Sequence, residues 1–305
     1  MNYDDNEIFG LLAEATAIVP PASISDAVVH AATAARPVGQ AISSLGGGRR
    51  ANAAAAFVQT IDEFKSVLTA ADGTEVVEPY GWSVTQLIAH LVEVDLYFGR
   101  QLGLWEHQID EANEDDHLRM TEAAVRSAVR ADFADTLAQW LDVSSKVCAR
   151  VAALDAEELR QQIKFHVLDT RLSIVLVARV FEVWTHTEDL CRTLRRDPPP
   201  LDGARLHLMT RVAVPAIPLG ILLGNIDGGS HTARIVLTGR GGGVWNQPLQ
   251  LGADPGEPTV TIVADAIEFC RLAAQRIAPD DLNAEVDGPL DLAEKVLRGA
   301  SVFAA

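Results

Sequence analysis

The stretch LVARVFEVWTHTEDLCRTL, Leu176–Leu194, combines the apolar periodicity of a long helix with polar residues that are costly to bury. Glu182, His186 and Asp189 follow one another at steps of four and three, which places them on one helical face. The flanking apolar residues are Val177, Val180, Phe181, Val183 and Trp184. We therefore expect a largely buried helix whose single polar stripe faces a cavity, a partner or solvent.

The spacing of Glu182 and His186 leaves two interpretations open. An ionised glutamate that is buried alone is very unfavourable. Pairing with a protonated His186 relieves that cost, and so does a bound metal ion. Satisfied polar pairs are common in protein cores. Spacing alone therefore favours a structural pair. The alternative is that Glu182 and His186 are part of the ligand set of a metal site.

Helical periodicity also occurs upstream of this stretch, and the stretch and the upstream segments together predict four helices of about 20 to 30 residues. The first carries a stripe of Phe57, Ile61, Phe64 and Leu68. Ser83 is expected to cap the second, with Gln86 at the capping-box position. The approximate expected ranges are 51–71, 84–105, 121–154 and 169–195. Helices of this length joined by loops predict a four-helix bundle.

The residue composition and the pattern of apolar residues change on either side of the bundle, and these changes predict an α+β protein of three parts. Residues 1–48 are expected to form a helical N-terminal arm that ends in a Pro- and Gly-containing linker. Residues 49–197 form the bundle, and a triple proline follows it. Residues 201–305 mix strand and helix candidates, as in a small α+β domain. The glycine-rich TGRGGGVW, Thr238–Trp245, links two strand candidates and therefore predicts a hairpin turn.

Composition excludes several classes of function. The formal charge of -17 is not offset by any Lys/Arg cluster, which argues against binding to nucleic acid or to an anionic membrane. The three cysteines are far apart and form no CxxC motif, which is typical of a reducing cytoplasm. The acidic first ten residues lack the positive start of a signal peptide. The apolar runs are too short or too interrupted to span a membrane.

His90 changes the balance between the two interpretations. It is one histidine in an otherwise apolar part of the second predicted helix, TQLIAHLVEVDLYF. Inward-facing residues of two bundle helices can converge on a metal. His90, Glu182 and His186 would then supply three ligands and leave a position open for water or substrate, as in catalytic zinc sites. Ferrous iron and nickel could use the same ligands.

Two segments together resemble the mycothiol-dependent maleylpyruvate isomerase family, a branch of the DinB-like metal-binding four-helix bundles. They are GWSVTQLIAHLVEVDLYFGRQL and the later ARVFEVWTHTEDLCRTL. The residues that match the family motifs are Gly81, Trp82, Ser83, His90, Glu182 and His186. The tail, with ARIVLTGRGGGVW and VTIVADAIEFCRLAAQR, is similar to the family's sterol-carrier-protein-like C-terminal domain. The resemblance covers roughly residues 51–305.

The resemblance implies a zinc-dependent enzyme with His90, Glu182 and His186 as ligands and mycothiol as cofactor. Zinc deprotonates a bound thiol, whose sulfur can add to a small electrophile. Reversal after bond rotation gives isomerisation, and retention of the adduct gives S-transfer. Asp189 is implied as a supporting residue, and Arg276 as the arginine that holds a substrate carboxylate. The alternative is a non-catalytic metal- or ligand-binding regulatory protein whose N-terminal arm contacts a protein partner.

Overall fold

The computed structural model describes residues 52–106, 115–165 and 168–301. The described chain divides into two compact units, Ala53–Pro200 and the residues from Leu201 onward. The first unit is a helical bundle, and the second combines helices with a four-stranded sheet. The predicted α+β class is therefore confirmed. The predicted arm over residues 1–48 lies outside the described residues.

The bundle owes its core to the apolar stripes of its helices. The helices are α1 Ala53–Leu68, α2 Val84–Gln101, α3 Asp115–Ser127, α4 Phe133–Ala152 and α5 Leu172–Thr193. Helix α1 packs against α5 and α4, and α2 packs against α4 and α3. The predicted stripe of α1 is buried along its whole length. Phe64 from this stripe meets the Trp140 ring of α4 edge-on, with ring centroids 5.3 Å apart.

The prediction of one continuous third helix is wrong. Helix α3 ends at Ser127, a 3₁₀ turn follows over Ala128–Arg130, and α4 begins at Phe133. The break has a local cause, because Asp132 is extended (ψ 134°) and its carboxylate accepts a hydrogen bond from the Asp135 N–H. This is an N-cap that starts a new helix.

The predicted start of the fourth helix is also wrong. Helix α5 begins at Leu172 rather than at Asp169, because the residues before it form an antiparallel hairpin. Its strands are β3 Gln162–Phe165 and β4 Leu168–Arg171. Four-residue strands are too short to show a clear alternation of polar and apolar residues, so the pattern alone does not separate them from a helix.

The start of α2 is fixed by the predicted capping box. Ser83 Oγ accepts a hydrogen bond from the Gln86 N–H at 3.2 Å, and Gln86 Oε1 accepts one from the Ser83 N–H at 3.0 Å. The two-residue strands β1 Val76–Val77 and β2 Trp82–Ser83 pair just before this cap. The loop between them is therefore held against the end of the bundle where α2 begins.

The second unit is built around a sheet in the order β6-β5-β7-β8. The strands are β5 Thr232–Thr238, β6 Gly243–Pro248, β7 Val260–Asp265 and β8 Ala284–Asp287. Strands β5 and β7 are parallel, and the other neighbours are antiparallel. The helices are α6 Gly203–Ala213, α7 Ile217–Leu223, α8 Ala266–Ala273 and α9 Leu290–Ala300.

The glycine-rich segment between β5 and β6 is a hairpin turn, as predicted. Gly241 within it has a φ of +77°, a region that favours glycine. A Cβ at this position would also lie 2.7 Å from the Gly203 carbonyl oxygen, so α6 approaches the turn too closely for any side chain. The glycines therefore serve a turn and a close contact.

Within the described ranges, no single helix combines the length and hydropathy needed to cross a membrane. Helices α6 and α7 meet both requirements only when taken together, as a pair bent by 43°.

Candidate metal centre

The structure brings His90, Glu182 and His186 together inside the bundle. His90 extends from α2, and the other two extend from successive turns of α5. His90 Nε2 lies 3.2 Å from Glu182 Oε1, and His186 Nε2 lies 4.0 Å from the same oxygen. Each residue offers one ligand atom, and the three atoms all lie within 4.8 Å of one another.

The donor atoms of this cluster suit a divalent metal ion. His186 is fully buried, and its Nε2 has no hydrogen-bond partner among the described residues; the same holds for His90 Nδ1. A buried polar atom without a partner costs free energy, which a bound metal would offset at His186 Nε2. Two imidazole nitrogens and one carboxylate oxygen match the ligand set of open, catalytic zinc sites.

The local electrostatics keep His186 and Glu182 in the forms that bind metals. Burial, and then the neighbouring His90 and Arg179 side chains, lower the pKa of His186 to about 3, so its ring is neutral at neutral pH. Burial acts to raise the pKa of Glu182. The Arg179 charge and the hydrogen bond with His90 outweigh it and hold that pKa well below its usual value. Metal binding requires a neutral imidazole and an ionised carboxylate.

A buried network of charged residues contacts the Glu182 oxygen that does not face the two histidines. Arg179, one turn earlier on α5, donates to Glu182 Oε2 through Nη1 and to Asp95 Oδ1 through Nη2, the latter at 2.7 Å. Trp140 of α4 donates from Nε1 to Asp95 Oδ2 at 2.9 Å. Burial raises the pKa of Asp95, and the Arg179 charge opposes that shift. Residues from α2, α4 and α5 therefore meet in one network.

An aromatic wall borders the two histidines. The Tyr80 hydroxyl lies 3.5 Å from His186 Nδ1 and donates to Asp189 Oδ2 at 3.4 Å. The Tyr80 ring stacks on Trp82, with centroids 4.9 Å apart, and Trp82 lies 5.5 Å from the His90 ring. Burial raises the pKa of Asp189 to about 7. The Tyr80 hydroxyl therefore lies between His186 and Asp189, the residue that the family resemblance implies as a supporting one.

Three residues of this arrangement did not stand out in the sequence: Asp95, Arg179 and Tyr80. A charged residue on an apolar helix was the available signal for Asp95 and Arg179, and Arg179 precedes Glu182 by one turn. Which charges meet depends on how α2 and α5 face each other, and a helical pattern does not specify that. Tyr80 lies in a loop, where no periodicity marks it.

Arg276 belongs to the second unit, just after α8. It is half-buried, burial lowers its pKa, and its Nη1 donates to the Ala274 carbonyl oxygen at 2.7 Å. These facts describe a constrained guanidinium. The role in holding a substrate stays a prediction.

The fold and the cluster define a class of protein: a helical bundle with an inward-facing His–Glu–His set. Residues 54–191 match the model of the family described as Mycothiol maleylpyruvate isomerase N-terminal domain. Residues 54–191 therefore match that family's N-terminal domain, and the resemblance inferred from the sequence is confirmed for the bundle.

Solved structures add evidence on the fold over most of the chain. Two similar ones are the mycothiol-dependent maleylpyruvate isomerase and a histidine-to-alanine mutant described under the same name. Each aligns with a TM-score of 0.52 at 13% identity and covers 78% of this chain and 94% of that chain. At this identity the likeness shows a shared fold. No match was found among curated proteins.

Proposed function

We propose that this protein is a metal-dependent enzyme that uses a low-molecular-weight thiol, mycothiol, to isomerise or S-conjugate a small electrophile. One observation carries the proposal: His90, Glu182 and His186 converge to within 4.8 Å in a bundle of the mycothiol maleylpyruvate isomerase family. Zinc is the proposed metal, because two imidazoles and a carboxylate leave one tetrahedral position open for a substrate atom.

The residues of the site have separate parts in this proposal. His90, His186 and Glu182 would hold the metal, and the bound metal would act as a Lewis acid that keeps a nearby thiol ionised at neutral pH. Tyr80 stands beside His186 Nδ1, so the opposite nitrogen, Nε2, is the one left for the metal. Trp82 and Tyr80 cover the two histidines from one side and limit the access of water.

The chain's own cysteines are poor candidates for the nucleophile, which supports an external thiol. The thiolate is the reactive form of cysteine. Burial raises the pKa of Cys148 to about 12 and also raises that of Cys191. Cys270 is fully buried within the second unit. An added thiol cofactor supplies the reactive sulfur that these residues do not.

The test is an assay of the metal-loaded and the metal-stripped protein with mycothiol. Maleylpyruvate isomerisation and thioether formation on a panel of electrophiles would be followed in parallel. We expect at least one of these reactions to need both the metal and the thiol. Turnover that is unchanged without either component would contradict the proposal. Metal binding without turnover on any substrate would favour the non-catalytic alternative.

A further inference from the structure

We propose that Asp95 and Arg179 are positioning residues for the metal centre, which fix Glu182 so that only its Oε1 faces the two histidines. The inference rests on the proposed metal site. It adds two residues that contact no ligand position themselves and act through Glu182.

The two oxygens of Glu182 have different surroundings. Oε2 accepts a hydrogen bond from Arg179 Nη1, whereas Oε1 lies 3.2 Å from His90 Nε2 and 4.0 Å from His186 Nε2. The Arg179 guanidinium is planar, and its other amino group is held by Asp95. Rotation of the Glu182 carboxylate would break the hydrogen bond to Oε2. Glu182 is therefore set to offer one oxygen to a metal.

The anchor of this arrangement is itself immobilised. Asp95 accepts from Trp140 at 2.9 Å and from Arg179 at 2.7 Å, one donor on each oxygen. Asp95 and His90 lie on α2, and Arg179, Glu182 and His186 lie on α5. The Asp95–Arg179 pair thus joins the two helices that carry all three ligands, and it fixes their separation next to the site.

Stability is a weak explanation for this pair. A buried ion pair often adds little net stability, because desolvation of both charges opposes their attraction. Both side chains are at most 1% exposed, and Arg179 Nε has no hydrogen-bond partner among the described residues. An orienting role accounts better for such a pair, since partners behind metal ligands fix ligand geometry.

The decisive experiment uses the full chain with Asp95→Asn and, as a second variant, Arg179→Lys. Both neighbours of Asp95 are donors, so an asparagine of equal size must turn its amide NH₂ toward one of them. Arg179→Lys keeps the charge and loses the two-pronged contact. We expect each variant to weaken zinc binding by about 10- to 100-fold in a chelator competition. We also expect each to change the d–d absorption of the cobalt-loaded protein.

Matched controls come from the second unit. Arg205 is buried there and donates from Nε to Asp202 Oδ2 at 2.6 Å. The two residues are three positions apart, as are Arg179 and Glu182. Asp202→Asn and Arg205→Lys alter this pair, and we expect both to leave zinc affinity and the cobalt spectrum unchanged.

Each outcome separates this inference from the proposed function. Folded Asp95→Asn and Arg179→Lys proteins with wild-type zinc affinity and the wild-type cobalt spectrum would overturn the positioning role alone. A wild-type protein that binds neither metal would overturn the proposed site, and the inference with it. Circular dichroism reports folding, and if Arg179→Lys does not fold, Asp95→Asn decides by itself.

Discussion

Glu182 and His186 are compatible, by spacing, with an ordinary buried pair. The geometry disfavours that interpretation. The 4.0 Å between His186 Nε2 and Glu182 Oε1 exceeds hydrogen-bond length. The pKa of about 3 leaves His186 without the charge that an ion pair needs. Glu182 instead has Arg179 on one oxygen and His90 near the other. At the scale of residues, the cluster therefore offers an uncharged imidazole and an ionised carboxylate, which suit a bound cation.

Arg276 is the residue whose role rests most on family resemblance. If it holds a substrate carboxylate, Arg276→Ala should raise KM for a carboxylate-bearing electrophile by at least about 10-fold, which corresponds to about 1.4 kcal/mol. KM for an uncharged electrophile should stay the same, because the lost contact is specific to the carboxylate. Steady-state kinetics with both substrates tests this, with Arg271→Ala on α8 as the control. Equal effects on both substrates would argue for a structural role.

Cys148 provides a test of burial at a single thiol. Its pKa of about 12 predicts that iodoacetamide at pH 8 labels it more than about 100-fold more slowly in native than in denatured protein. Because the pKa is raised on folding, the associated stability is present below the unfolded thiol pKa and is lost as the pH rises toward 12. Peptide mass spectrometry gives the rate, and equal rates in both states would refute the prediction.

At the scale of elements, the start of α2 was the most predictable feature. Ser83 and Gln86 satisfy each other's backbone donors, and that motif is local enough to be found in the sequence. The break between α3 and α4 was missed because the Asp132 cap interrupts an apolar pattern that continues across it. The hairpin before α5 was missed because its strands have only four residues each. The periodic pattern thus predicted where helices lie, and it did not show a cap inside an apolar run or a hairpin of four-residue strands.

The capping box should have a measurable effect on stability. Ser83→Ala removes the acceptor for the Gln86 N–H, so we expect the free energy of unfolding to fall by about 1 kcal/mol. Urea denaturation followed by circular dichroism measures it. Ser145→Ala is the matched control, because Ser145 is exposed within α4 and such changes usually stay within about 0.5 kcal/mol. Equal losses in the two variants would show that the cap contributes nothing specific.

At the scale of the whole molecule, the sequence indicated the candidate ligands His90, Glu182 and His186 more readily than the Asp95–Arg179 pair that contacts Glu182. His90 and the Glu182–His186 pair were identified from their positions in apolar helices and from the family motifs. The Asp95–Arg179 pair joins residues 84 positions apart, so it follows only from the way α2 and α5 pack. The pattern within each helix thus indicates candidate ligands, whereas the geometry of the cluster depends on how the helices are placed relative to each other.

Metal removal should destabilise the bundle. A ligand that binds only the native state stabilises it by about 4 kcal/mol when present at about 1,000 times its dissociation constant. Each kcal/mol shifts the melting temperature of a domain of this size by about 2–4 °C. We therefore expect EDTA to lower the melting temperature by on the order of 10 °C in calorimetry, and excess zinc to restore it. His186→Ala protein should not respond, and an equal response there would contradict a site at His186.

The central claim is that His90, Glu182 and His186 hold a divalent metal ion. Its most direct test is elemental analysis of the tag-free protein and of the His90→Ala and His186→Ala variants, with His207→Ala in the second unit as control. We predict about one zinc ion per chain in the wild-type and His207→Ala proteins, and a sharp loss in the other two variants. Equal metal content in the wild-type, His90→Ala and His186→Ala proteins would contradict the account.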